Sequence, residues 1–270
     1  VFLAVYGNAY AFDSVALQHE AVSLTQAERA YLKEHKKVTL CVDPDWVPYE
    51  HIDASGKHVG IAADLLALIE ARTGVEFQLV PTRDWNESLE FSKSGKCQAL
   101  SFLNQSVERS EWLIFTSPLF SDPNVFITRE EHPFISDPAT LENESIVFPE
   151  GTAMEGLVRE RYPNLEIKLA KSEDETLDMV SSRRSSMTMR SLIVAAYTIR
   201  KNGLFNLKIA GQLPMYTNHL RIGVSKSEGV LRNILDKGVQ SISPQEKGRV
   251  VNQHVAINVQ TVLDPRWFFA

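Results

Sequence analysis

Val38-Thr39-Leu40-Cys41-Val42 is a short apolar run with β-branched residues, preceded by the basic His35-Lys36-Lys37 and followed by Asp43-Pro44. A run of this kind reads as a strand buried on both faces, as in a parallel sheet. After the turn Asp53-Ala54-Ser55-Gly56, the residues Ile61, Leu65, Leu68 and Ile69 recur at helical spacing and stop at Gly74. Phe77 to Val80 then reads as a strand, Trp85 to Ser92 as a helix ended by Gly95, and Cys97 to Phe102 as another strand. Upstream, Thr25-Gln26-Ala27-Glu28 has the form of a capping box and opens a short helix through Leu32.

The same alternation resumes further on. Ser145 to Phe148 reads as a strand, Gly151-Thr152 opens a helix through Arg161, and Glu166 to Leu169 is a strand. A second capping box, Ser172 to Glu175, starts a helix, followed by a strand at Met187 to Met189, a helix from Leu192 to Lys201 and a strand at Leu207 to Ala210. Repeated strand-helix-strand units argue for parallel sheets covered by helices. Between and after the two sets lie single strands at Val125 to Thr128 and Leu220 to Val224. Helices from about Val230, and from a third capping box at Ser243 to Glu246, close the pattern. The order predicts an α/β protein of two lobes with separate sheets, joined by two crossing hinge strands able to close on a ligand. Lobe one is expected over 38–130 and 218–258, and lobe two over 131–217.

Of the 270 residues, 44% are hydrophobic and 23% charged, a globular balance that excludes a collagen-like, disordered or membrane-embedded chain. Net charge is −6 with no basic stripe, so nucleic acid is not an expected partner. The seven histidines show no pair at metal-ligand spacing on one helix, and no nucleotide-binding glycine pattern or nucleophile elbow occurs. No metal, cofactor or catalytic residue is therefore expected. Cys41 near the end of one strand and Cys97 at the start of its neighbour are offset beyond the roughly 7 Å Cα limit of a disulfide, so both are expected as free thiols. The apolar Val1 to Val5 and the small-x-small Ala9-Tyr10-Ala11 read as a signal-peptide remnant over 1–11, or else as an apolar chain end. Residues 12–37 form an N-terminal extension with its helix. Trp267-Phe268-Phe269, within 259–270, reads either as a packed tail or as an aromatic belt where the chain exits towards a membrane.

Several motifs together carry a resemblance: V-D-P-D-W-V-P-Y-E (42–50), G-I-A-A-D-L-L (60–66), S-V-E-R (106–109), F-T-S-P (115–118) and P-E-G-T (149–152). In this order and spacing the chain resembles the type II periplasmic solute-binding fold, the bacterial extracellular solute-binding family 3, from about Lys37 to Val255. The Leu24 to Leu32 helix, and stretches such as 124–135 and 187–206, are most similar to the sensor modules of membrane-bound diguanylate cyclases and histidine kinases. The resemblance implies a two-lobed Venus flytrap, each lobe a mostly parallel sheet flanked by helices, with the ligand between the lobes.

By that resemblance Arg109 holds a ligand carboxylate, which suits the planar fork of a guanidinium. The alternative is a surface arginine paired with Glu108 or Glu111. Gly151 and Thr152 sit at a helix start, where free N–H groups suit an anion, or they form a routine cap. Trp46 and Tyr49 lie at the carboxyl edge of the sheet, as ligand cover or as loop packing. Asp43 either touches a ligand side chain or caps a turn. Trp85 forms a cleft wall or packs lobe one, and Asn104 is a ligand contact or a turn residue. The lobe-two position that often holds an acid for an α-ammonium falls near Ser191, preceded by Arg190. If Arg190 enters the cleft, two cationic forks favour a ligand of extra negative charge.

The expected function is a periplasmic sensor domain. It binds a small carboxylate solute, amino-acid-like or organic acid, and signals by lobe closure to its own transmembrane and output domain, with a homodimer as an option. A transporter's solute-binding protein is the alternative. A dehydratase-like enzyme using Asp43 or Glu50 is a third, without a supporting pair of catalytic groups.

Overall fold

The computed structural model describes residues 21–255 except Gly151, so the expectations for 1–11, for 259–270 and for Gly151 lie outside the described residues. The chain begins with α1 (Gln26–Glu34), β1 (Lys37–Cys41), β2 (Asp45–Trp46), β3 (Glu50–Ile52), β4 (His58–Val59), α2 (Ile61–Thr73), β5 (Glu76–Leu79), α3 (Trp85–Lys93), β6 (Ala99–Leu103) and β7 (Leu113–Phe115). The long β8 (Phe120–Arg129) leads to β9 (Ser145–Pro149), α4 (Ala153–Arg161), β10 (Glu166–Ala170), α5 (Glu173–Ser181), β11 (Met187–Ser191) and α6 (Leu192–Asn202). The equally long return strand β12 (Leu207–Ser225) is followed by α7 (Gly229–Ser241) and α8 (Pro244–Val255).

Local chemistry sets the helix ends. The Thr25 hydroxyl accepts from the Glu28 N–H at 3.2 Å while the Glu28 carboxylate accepts from the Thr25 N–H at 2.6 Å. Two donors otherwise orphaned at a helix start are thus satisfied reciprocally. Lys237 Nζ lies 2.7 Å from Glu28, and the Tyr31 hydroxyl donates to Glu228 at 2.6 Å, which ties α1 to the α7 region. The α2 face bearing Ile61, Leu65 and Ile69 is fully buried, and the helix ends on Gly74 at φ 77°, the left-handed cap that glycine adopts without strain.

In the first lobe β5, β1 and β6 pair in parallel, with the end of β12 antiparallel beside β6 and β7 at the outer edge. In the second, β10, β9 and β11 are parallel and β8 is antiparallel to β11. The fold is the two-lobed Venus flytrap. One expectation is corrected: the two sets are not separate sheets. The hydrogen-bonded path runs without a break, β10-β9-β11-β8-β12-β6-β1-β5, because β12 pairs with β6 and β7 at Arg221 to Ser225 and with β8 from Leu207 to Leu220. The two short strands expected at 207–210 and 220–224 are therefore one strand of 19 residues. Pro214 and Gly211 look like breakers in the sequence. They fall where the register against β8 shifts, between Ile209 and Gly211 and between Gln212 and Thr217, so the missing Pro214 N–H leaves no ladder bond unmade.

The free-thiol expectation is overturned as well. Cys41 and Cys97 form a disulfide with a Cα separation of 5.8 Å. The expectation extended the strand back to Cys97, but β6 begins at Ala99 and the chain bends at Gln98. The Cys97 N–H points to the Phe91 carbonyl at 3.3 Å, and the Gln98 N–H to Thr39 at 3.0 Å, so Cys97 turns in beside Cys41 instead of running away along the ladder. Both cysteines are fully buried in a cluster with Leu100, Leu103 and Leu113, against which Trp85 packs. The bridge spans 56 residues, and closing a loop of that length in the unfolded chain is worth about 2–4 kcal/mol. Thiol titration of the denatured, unreduced protein is expected to find no reactive group, and reduction is expected to lower Tm by several degrees. Two reactive thiols without reductant would show that the bridge does not form.

Candidate ligand-binding site

Tyr49 lies in the loop after β2 and is fully buried. Its ring meets Trp46, Phe102 and Phe120 edge-on, with centroids 4.6, 5.5 and 6.1 Å away. Its hydroxyl donates to Asp122 of β8 and lies 2.6 Å from the hydroxyl of Ser191 at the end of β11. Ser191 also donates to Asp122, and the Ile193 N–H at the start of α6 reaches the same carboxylate oxygen, Oδ2, at 3.2 Å. Among the described residues Oδ1 has no hydrogen-bond partner. Burial pushes the Asp122 carboxyl up, against the lowering effect of its three donors. Burial, then the neighbouring Asp122, raises the Tyr49 hydroxyl well above its ordinary value. This cluster joins the loop after β2 directly to β8, β11 and α6.

Arg109 begins the short 3-10 turn Arg109–Glu111. Its guanidinium carbon lies 5.7 Å over the Trp85 ring, and Nη1 donates to the Asn104 carbonyl at 2.8 Å. It is half-buried, and desolvation lowers its pKa, opposed by Glu108. Among the described residues no carboxylate lies within ion-pair distance of it, so neither Glu108 nor Glu111 is its partner. The Asn104 side chain continues inward. Nδ2 donates to Asn218 at 2.9 Å, Oδ1 accepts the His219 N–H at 2.9 Å, and Asn218 in turn lies 3.4 Å from Asn124 of β8. Asn104 thus bonds β12 directly and reaches β8 through Asn218.

The remaining residues divide. Trp85 is the first residue of α3, whose start is capped by Asp84. Trp46 stands half-buried against Tyr49. Asp43 accepts the Asp45 N–H at 3.0 Å, the turn bond, and its N–H donates to Glu50 at 3.1 Å. Glu50 is fully buried and also engaged by His58 Nε2 at 3.0 Å. Thr152 occupies the N-cap position of α4, but its hydroxyl donates to the Pro149 carbonyl at 3.1 Å and leaves the helix start without a side-chain cap. Among the described residues no hydrogen bond joins Thr152 to Arg109. Arg190 is buried and paired with Glu173 at the start of α5, with Nε 2.8 Å from Oε2, and burial pushes its pKa down to about 10. Strand alternation explains its separation from Ser191: the two adjacent side chains leave opposite faces of β11. Sequence reading missed Asp122. It places an acid beside Ser191 from a different strand, and only the β8–β11 pairing, with Ser191 level with Asn124, reveals it. Among the described residues no group of three or more His, Cys, Asp or Glu is placed to hold a metal.

Asp43 gives the site a pH signature. Burial first, then Glu50, Asp45 and Asp84, push its carboxyl up to about 7. The folded state thus binds a proton the unfolded chain lacks from about pH 4 to 7, and stability falls as pH rises through that window. Urea denaturation is expected to show the parent gaining stability from pH 8 to pH 6, with Asp43→Asn losing most of that gain. An equal gain in Asp43→Asn would assign the effect elsewhere.

Known proteins match this chain closely in arrangement. Residues 38–253 match the bacterial extracellular solute-binding proteins, family 3. The virulence sensor protein BvgS of Bordetella pertussis is 22% identical over 241 residues, covering 89% of this chain and 20% of that protein. Sensor protein EvgS of Escherichia coli strain K12 is 19% identical over 253 residues, covering 92% of this chain and 21% of that protein. The chain spans about a fifth of the length of these curated relatives. The crystal structure of the Bordetella pertussis BvgS periplasmic VFT2 domain superposes with a TM-score of 0.76 at 22% identity, covering 86% of this chain and 99% of that one. With most of its length matched, this chain belongs to the bacterial extracellular solute-binding proteins, family 3.

Proposed function

We propose that the chain is a periplasmic sensor domain that binds a small carboxylate-bearing solute between lobe one (38–130 and 218–258) and lobe two (131–217). Arg109 anchors the carboxylate, Trp85, Trp46 and Tyr49 form aromatic walls, and Asn104, Asp43, Ser191 and the Gly151-Thr152 helix start complete the polar lining. Arg190 acts through its pair with Glu173 rather than as a second fork. Asp122 Oδ1 is the group available to an ammonium, so an amino-acid-like solute uses Arg109 and Asp122 together, while an organic acid uses Arg109 alone. Closure passes through β8 and β12 and the segment over 259–270 to a membrane-linked output domain of diguanylate cyclase or histidine kinase type.

One observation carries this reading. Arg109 is half-buried over Trp85 without an acid partner among the described residues, and its carbonyl contact Asn104 is bonded to the hinge strands. A partly desolvated cation with no carboxylate in ion-pair contact favours an anionic visitor, and a ligand held there acts on the hinge. Its test is calorimetric titration with a panel of amino acids and dicarboxylates. Arg109→Ala is expected to weaken the best ligand by about 2–5 kcal/mol, as for truncation of one partner of a buried charge pair, with little change in Tm. Arg109→Lys is expected to bind poorly too, because an ammonium lacks the fork. Asp122→Asn is expected to spoil amino acids while sparing organic acids. Parent-like binding by Arg109→Ala would overturn the assignment.

A further inference from the structure

The loop carrying Arg109 also borders a second concavity. Its neighbours Gln105 and Ser110 line a cavity of about 410 Å³ whose other walls include Thr116, the strand β7 and three cations, Arg221, Lys226 and Arg232. No acid lines it, and among the described residues none of these cations has a carboxylate within ion-pair distance. Arg221 Nη1 donates to the Thr116 carbonyl at 2.7 Å, which fixes its fork at the cavity. Arg232 Nε is shielded from water and has no hydrogen-bond partner. The strand β7 pairs with β12 on one side and with no other strand among the described residues.

Three like charges around one concavity run against the trend of a chain of net charge −6. A buried guanidinium N–H without an acceptor is a cost that an anion would relieve. Two arginines offer planar forks, and the exposed Lys226 a compact point charge. We propose that this cavity is a second ligand site, apart from the interlobe cleft, that takes a small anion carrying two or more negative charges. It grips the hinge directly, since Arg221 belongs to β12.

Inorganic pyrophosphate serves as the probe, by calorimetric titration of the whole chain at low ionic strength. The parent is expected to bind one equivalent saturably and with a rise in Tm. Lys226→Glu, an exposed change that leaves the fold intact, is expected to weaken binding at least about tenfold, and Arg221→Gln with Arg232→Gln to abolish it. Binding retained in Arg109→Ala supports the separate site. Three results would each overturn it: no saturable binding by the parent, unchanged binding in Lys226→Glu at parental Tm, or loss of binding in Arg109→Ala, which would put the anion in the cleft.

Discussion

Asp122 sits on β8, one of the two long strands that join the lobes, and is only 2% exposed, so its carboxylate must be met by donors or stay protonated. The donors that meet it come from both sides: the Tyr49 hydroxyl from lobe one, the Ser191 hydroxyl and the Ile193 N–H from lobe two. Much of the arrangement follows from keeping them there. Tyr49 is wedged among three aromatic rings, and its backbone is so close to Gly60 that an added Cβ would lie 2.6 Å from the Tyr49 carbonyl oxygen. Gly60 also has φ 120°, a conformation that only glycine adopts without strain. On the other side, Ile193 and Val194 pack into the same core as Val42, Ile61 and Ile222. The start of α6 is thereby part of the lobe-one core as well as of lobe two, and the polar cluster sits at the edge of that apolar contact.

A latch of this kind gives ligand binding something to work against. Bonds between the lobes oppose any rearrangement of the flytrap, and a ligand shifts it only through contacts that differ between states. The amide chain from Asn104 through Asn218 to Asn124 supplies a physical route: each link is a side chain with one donor group and one acceptor, and the middle link lies on β12. The Arg109 loop is thereby bonded to the hinge by a route that does not include Asp122.

Much of this was legible from residues alone. The capping boxes at Thr25 and Ser243, and the helix stop at Gly74, depend on near neighbours in sequence, and local patterns report them faithfully. What depended on pairing was hidden. The disulfide turned on a bend at Gln98 that moved one strand start from Cys97 to Ala99. The single long β12 was masked by Pro214, whose register-shifted position removes the usual penalty for proline in a strand. Asp122 was invisible as a site residue because its neighbours in space, Tyr49 and Ser191, are 73 and 69 residues away. The family pattern led to Ser191 and the pairing of β11 with β8 supplied the acid.

The contrast between the two arginines shows why exposure alone does not choose an anchor. Arg190 is the more deeply buried, yet its charge is neutralised in place by Glu173, so the pair contributes almost no net field beyond its own surroundings. Separating that pair would strand a buried charge, a cost of about 3–5 kcal/mol that a visiting carboxylate would have to outbid. Arg109 has no such prior claim on its charge. Its Asn104 bond uses one donor of five, and the Trp85 face supports the cation without neutralising it. Under the proposed assignment a single fork, not two, is open to a ligand, because the charge of Arg190 is already met by Glu173.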